Sequence, residues 1–341
     1  MSKLTRPLLI TALILLAAAL LSIGVGSVFI PPKVILATLW NALRGLPATT
    51  TDTEKLRVIL FTLRLPRTLL MALTGAALAG SGAAYQGLFR NPLADPYLIG
   101  AASGAGLGAV ISLSSRWPSS LLGYMAVPLT AFIGALITVL VVYRMARVGK
   151  TLPVTNLILS GVAVSSFATA LTSFLMINAS GELRRAIVWL LGGSNLAGWK
   201  PVIGQLPYVL IGLSALMAMS YRLNVLQLGE EQAQQLGINV PRSRAIIILA
   251  ATLATAAAVA FTGIIGFVGL VVPHIARRLW GADTRRLMPL SMIGGAAFLL
   301  LADILARTLM APQELPVGII TALAGAPFFL MILRQARQGT W

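Results

Sequence analysis

Apolar residues run through this chain in long blocks without a charged side chain, at 121–143, 151–181, 201–221 and 245–276. Arginine and lysine gather in the short segments between blocks. About 20 apolar residues rising about 1.5 Å each cross a bilayer core of roughly 30 Å as a helix. The short alternating segments of a β-barrel are absent from the sequence. The pattern predicts an all-α, polytopic membrane protein of about ten transmembrane helices, placed at 8–28, 65–86, 98–113, 121–143, 154–176, 202–221, 245–263, 264–279, 287–309 and 315–333. The whole chain, 1–341, reads as one transmembrane domain.

The block at 245–276 is too long for one untilted span and short for two full ones. Arginines flank it on both sides, so the chain crosses an even number of times. Gly263, Gly266 and Gly269 supply the break. Non-helical backbone at that depth is tolerated only inside protein or beside a water-filled cavity, which points to a tight hairpin near a translocation path. The glycines between Gly104 and Gly108 follow a proline turn rather than a strand and read as close helix packing.

Charge sets the orientation. With both termini cytoplasmic, the inner loops collect Arg90, Arg144, Arg147, Lys150, Arg222, Arg242, Arg244, Arg277, Arg278, Arg285 and Arg286, and the tail adds Arg334 and Arg337. Lys3 and Arg6 precede an apolar run too long for a signal peptide, so that run is the first span. The outer side is basic too, with Lys33, Arg44, Lys55, Arg57, Arg64, Arg67, Arg184, Arg185, Lys200 and Arg307. A net charge of +17 with 57% hydrophobic and 10% charged residues suits a membrane surface and acidic protein partners. The basic residues are scattered through loops rather than gathered in a stripe, so nucleic acid is not indicated.

Candidate chemistry is sparse. There is no cysteine and a single histidine, His274, which excludes disulfides, thiolate metal sites and sites needing several imidazoles. No catalytic constellation, metal site or cofactor is expected. Gly149-Lys150-Thr151 mimics the end of a P-loop, but Arg144 stands where the earlier glycine belongs and no strand precedes it. Asp303 is the acidic residue placed well inside a span, four residues before Arg307 in the favourable order for a helical ion pair. The polar segment 226–240 reads as a short amphipathic helix, with Glu230, Glu231, Gln232, Gln234 and Gln235 around Ala233 and Leu236, and Gly237 as its C-cap. A lipid-lying helix favours lysine and arginine on its polar face; this one is acidic. Thr155 and Asn156 open the fifth span, where Thr155 also suits an N-cap.

Several motifs occur in order: Arg64-Leu65-Pro66-Arg67, the run from Gly87 through Arg90, Asn91, Pro92 and Asp95 to Pro96, Leu228-Gly229-Glu230, the run from Gly266 through Pro273 to His274, Leu301-Ala302-Asp303, Glu314-Leu315-Pro316-Val317-Gly318 and Gly325-Ala326-Pro327. Together they resemble the FecCD-type permeases, the membrane subunits of type II ABC importers for iron-siderophores, haem and cobalamin. The resemblance implies the ABC type II importer permease fold in a bacterial inner membrane. It implies a second permease subunit, two cytoplasmic P-loop ATPase subunits and an external substrate-binding protein as partners. It implies that Arg64, Arg67 and Arg307 face outward to meet acidic residues of the binding protein; the alternative is a set of snorkelling helix ends. It implies that Leu228, Gly229, Glu230, Ala233, Leu236 and Gly237 form the coupling helix seated in the ATPase, and that Thr155 and Asn156 narrow the cytoplasmic gate. Substrate would move by ATP-driven alternating access, with ferric siderophore first and haem or cobalamin after it. An ion-coupled secondary transporter is the alternative, and it would normally carry more buried carboxylates.

Overall fold

The computed structural model describes residues 2–26, 29–45, 51–115, 125–149, 151–178, 182–193 and 198–337. Among these residues the chain is helical throughout, apart from turns and one isolated bridge between Val148 and Thr151. The helices that match predicted spans are α1 (Ser2–Gly24), α4 (Leu65–Phe89), α5 (Ala101–Ser114), α6 (Ala126–Ala146), α7 (Val154–Asn178), α9 (Trp199–Leu226), α11 (Val240–Thr262), α12 (Val268–Trp280), α13 (Thr284–Thr308) and α14 (Val317–Arg337). Between them lie short helices α2 (Pro32–Leu43), α3 (Thr51–Val58), α8 (Leu183–Leu190) and α10 (Glu230–Gln235). A π-helical turn, Ile59–Arg64, joins α3 to α4, and a 3-10 turn, Pro96–Ile99, leads into α5.

Seven of these helices are long and apolar enough to cross a membrane: α1, α6, α7, α9, α11, α13 and α14. α4 is as long but rich in alanine, glycine and polar residues, because it is the spine against which α9, α11, α12 and α13 pack. Lipid supplies no hydrophobic drive between helices, so small residues that let backbones approach are what hold such a spine. A Cβ built on Gly82 would collide with the carbonyl of Gly269 on α12, and one on Gly75 with the carbonyl of Gly295 on α13. The same logic explains the glycines of α5. Gly104 and Gly108 lie directly against Gly134 and Thr130 of α6.

The expected break at 245–276 is present. α11 ends at Thr262, and Gly263 turns the chain with φ +78°. Phe267 then opens α12 from the left-handed region at φ +68°. The non-helical backbone between them is satisfied inside the protein. The Tyr97 hydroxyl donates to the Ile265 carbonyl at 2.9 Å and lies 3.3 Å from the Ile265 N–H. The predicted start of the fourth span, 121–143, falls partly outside the described residues, since 121–124 are not described, and α6 begins at Ala126.

The two ends of the bundle differ. One gathers α10, the C-terminal ends of α4, α6 and α9, and the starts of α7 and α11 around a core of Tyr85, Leu88, Leu152, Leu223, Ala233 and Ile247. At the same end Asp283 caps α13 and accepts from Asn224 of α9 at 2.7 Å. Hydrogen bonding from Arg285 holds its carboxyl down at about 2. The other end gathers the close of α1, α2, α3 and the π turn around Ile23, Ile30, Ile35 and Leu60.

Candidate functional site

At the α2 end, the three arginines singled out in the sequence come together: Arg64 and Arg307 reach the last turn of α1, while Arg67 joins Arg307 on Asp303. The final carbonyls of a helix have no partner within it, and guanidinium groups supply them here. Arg64 donates to the carbonyls of Ile23 and Gly24 at 2.6 and 2.7 Å. Arg307 donates to the Ser22 carbonyl and hydroxyl at 3.2 and 3.1 Å and to the Val25 carbonyl at 3.2 Å. Both arginines are buried. The cations also sit at the negative end of the α1 dipole, which favours them there.

Asp303 lies at the centre of this cluster and is fully buried. One carboxylate oxygen accepts from Arg67 Nη2 and Nε at 2.9 and 3.1 Å. The other lies 3.0 Å from Arg307 Nε, the ion pair expected from the four-residue spacing, although that N–H is aimed at the Asp303 carbonyl at 3.3 Å. Arg67 is the arginine of the three that reaches the surface, its side chain 31% exposed, and its Nη1 also meets Glu314 at 2.7 Å. Glu314 is 52% exposed. Its motif was visible in the sequence, but nothing in the spacing paired it with Arg67, 247 residues away.

At the opposite end, Gly229 (φ +131°) and Gly237 (φ +78°) bracket α10, each in a conformation that favours glycine. Ala233 is buried against the bundle, while Leu228 and Leu236 stand 59% and 62% exposed on either side. Glu230 fixes the helix to the bundle through Arg244 of α11 at 2.6 Å, and Arg244 also donates to the Leu152 carbonyl at 3.2 Å. The result is a short helix mounted rigidly, with two leucines and a row of glutamines and glutamates presented outward.

α7 is the most exposed of the central helices. Thr155 opens its first turn and is exposed, and Asn156 beside it is half-buried. The helix begins at Val154, with Leu157 N–H donating to the Pro153 carbonyl, so Thr155 is inside the first turn and does not cap it. At 3.6 residues per turn, Thr155 lies on the same side as Ser166, Thr169 and Ser173. Higher up, that side lines a groove of about 690 Å³ with Asp95, Tyr97 and Leu98. Tyr97 therefore connects this groove to the α11–α12 break behind it. Tyr85 is buried and packs on Phe89. Met176 is half-buried on α7. His274 is buried in α12 with its ring edge-on to Phe328.

A multi-pass bundle with a small-residue spine, a broken hairpin in its interior and distinct polar apparatus at its two ends defines a membrane permease. The model of the FecCD transport family matches residues 14–335. The chain belongs to this family. It is 43% identical to an ABC transporter permease protein of Bacillus subtilis (strain 168), YvrB, over 95% of this chain and 92% of that protein. It is 47% identical to the cobalamin import system permease protein BtuC of Halobacterium salinarum, over 83% of this chain and 75% of that one. A solved inward-facing structure assigned to the metal-chelate type of ABC transporter superposes with a TM-score of 0.80 at 30% identity, covering 97% and 99% of the two chains. The chain is thus a translocation subunit of an ABC importer, built without strands among its described residues.

Proposed function

We propose that this permease carries a bulky metal chelate inward across a bacterial inner membrane, as one of two permease subunits joined to two cytoplasmic P-loop ATPases and served by an external binding protein. Ferric siderophore is the first candidate for cargo, and haem and cobalamin follow. The relative named for cobalamin import and the metal-chelate transporter support that class of substrate. The observation that carries the reading is the placement of a short acidic helix and a cluster of arginines at opposite ends of one bundle. α10, an acidic helix locked by Glu230 and Arg244, suits a groove in an ATPase. Arg67, with Arg64 and Arg307 holding the adjoining rim, suits acidic residues of a binding protein because a planar guanidinium donates two parallel hydrogen bonds to a carboxylate.

On this reading the α10 end is cytoplasmic, as are both termini. Leu228, Gly229, Ala233, Leu236 and Gly237 complete the coupling surface around Glu230. Thr155 and Asn156 form the cytoplasmic gate at the foot of the hydroxyl line of α7, and the groove above them faces the path. Hydroxyl groups that already donate within their helix, such as Ser166 to Val162 and Ser173 to Thr169, offer a polar wall without charge. Such a wall lets a chelate pass without holding it. A second copy of the chain would close the path on its other side. Closure of the ATPase pair moves α10, and the two conformations differ in the contacts they offer cargo and binding protein.

The secondary-transporter alternative needs a buried carboxylate able to exchange protons or ions. Asp303, the membrane-depth candidate, is engaged by Arg67 and Arg307, which leaves it poorly suited to that work. Co-expression with a neighbouring P-loop ATPase tests the proposal: a stoichiometric complex is expected, and a permease that stays alone with its cognate ATPase present would contradict it.

A further inference from the structure

The α10 end holds a second cleft, separate from the α7 groove, of about 280 Å³. Its walls are Arg222 of α9, the return from α10 at Gly237, Ile238 and Asn239, and Arg242 and Ile246 of α11. Among the described residues, no acidic side chain lines it. Among the described residues, neither Arg222 nor Arg242 is paired with a carboxylate, and Arg222 Nη1 faces the Met219 sulfur at 3.9 Å. Of the acids at this end, Glu230 is engaged with Arg244 and Asp283 with Arg285, and Glu231 stands exposed on α10 outside the lining of the cleft. Two guanidinium groups sharing one cleft repel each other unless an anion joins them. The start of α11, capped by Asn239 accepting from the Arg242 N–H at 3.0 Å, adds its own partial positive charge.

The chemistry below the arginines says what kind of anion fits. Arg242, Ile246 and Leu249 follow one another along a single face of α11, and Leu249 is 66% exposed. Charge at the rim and an exposed aliphatic wall one to two turns deeper match a phospholipid, with its phosphate above and an acyl chain alongside the helix. Basic pockets between helices on the cytoplasmic side are a recognised setting for anionic headgroups.

We propose that this cleft binds the phosphate of an anionic phospholipid. The bound headgroup neutralises Arg222 and Arg242 and braces the return from α10 to α11, so lipid composition acts on the mounting of the coupling helix. The leaflet concerned rests on the orientation proposed above; the binding itself does not.

The test uses the full-length permease in nanodiscs containing a trace of photoactivatable phosphatidylglycerol or of phosphatidylcholine with the same acyl chains, with adducts mapped by peptide. Phosphatidylglycerol is expected to label the 222–249 region well above phosphatidylcholine. Each arginine near such a headgroup is worth roughly fivefold, so the double variant Arg222→Gln, Arg242→Gln should lose most of that preference while remaining monodisperse. The control Arg144→Gln, Arg147→Gln, also at the basic rim, should leave it intact. If the double variant is not monodisperse, the single Arg242→Gln variant, altering an exposed side chain, should still lose about fivefold. Equal labelling by the two lipids, or an equal loss in the control, overturns the proposal. Protection by inorganic phosphate without lipid discrimination would assign the cleft to a free anion and also overturn it. Because the permease is measured alone in symmetric bilayers, failure here says nothing against its partnership with an ATPase.

Discussion

At the scale of single residues, the arginine cluster at the α2 end makes sense as a problem of charge in a poor solvent. Arg64, Arg67 and Arg307 are held by carbonyls and carboxylates because a buried charge without partners costs several kcal/mol. Asp303 is the centre of that arrangement. Replacing Asp303 with Asn leaves Arg67 and Arg307 short of their anion, and a loss of about 3–5 kcal/mol is expected, read as a lower unfolding temperature in detergent. Glu314 behaves oppositely. It occupies the same guanidinium of Arg67 that a binding protein would need, so Glu314→Gln should tighten binding-protein association several-fold. Arg67→Glu should weaken it by about tenfold or more, in line with losing a charged hydrogen-bonded pair. Titration of the binding protein against nanodisc-held permease measures both. Equal tightening by Glu182→Gln, a control at an acid paired with Arg185, would show that only net charge was being read.

At the scale of elements, α10 and α13 carry the sharpest expectations. Leu236→Glu places a charge where an exposed leucine would be buried by a partner, and burying a leucine is worth about 1.5–3 kcal/mol. ATPase association should fall by at least tenfold while thermal stability of the isolated permease stays unchanged; unchanged association would remove α10 from the interface. Asp283, held at about 2, contributes stability above its ordinary carboxylate value near 3.8 and loses that contribution as pH falls toward 2. The gap in unfolding temperature between the protein and Asp283→Asn should therefore be constant at neutral pH, begin to narrow below about pH 4 and close at about pH 2.

Much at this scale was legible beforehand. Long charge-free blocks report helices that must satisfy their backbones internally, and ten helices, seven of them long and apolar enough to cross a membrane, fall close to the predicted spans, with the break in 245–276 foreseen from parity and three glycines. The short helices α2, α3 and α8 were not legible, because polar segments between spans carry no such constraint. The partners of Arg64 and Arg307 were not legible either: nothing in their spacing says that the open end of α1 would come to lie beside them. Asp303 with Arg307 was readable, since both sit on one helix. Asp303 with Arg67 was not, because that contact exists only once α4 and α13 have packed.

At the scale of the whole molecule, the proposed function asks the bundle to transmit motion from the α10 end to the α2 end. The close approaches at Gly82 and Gly75 hold α4 tightly against α12 and α13, while much of α7 is exposed. Gly82→Val should therefore prevent a properly packed permease from accumulating, seen as aggregated material on size exclusion. The central claim is that transport draws on ATP through a partner held at α10. It is tested most directly in proteoliposomes containing the permease, its cognate ATPase and the loaded binding protein, with uptake of the labelled metal chelate as the readout. Uptake is expected to require ATP inside the vesicle equivalent of the cytoplasm and to vanish when the ATPase is omitted. Uptake by the permease alone, driven by an ion gradient and indifferent to ATP, would contradict the account.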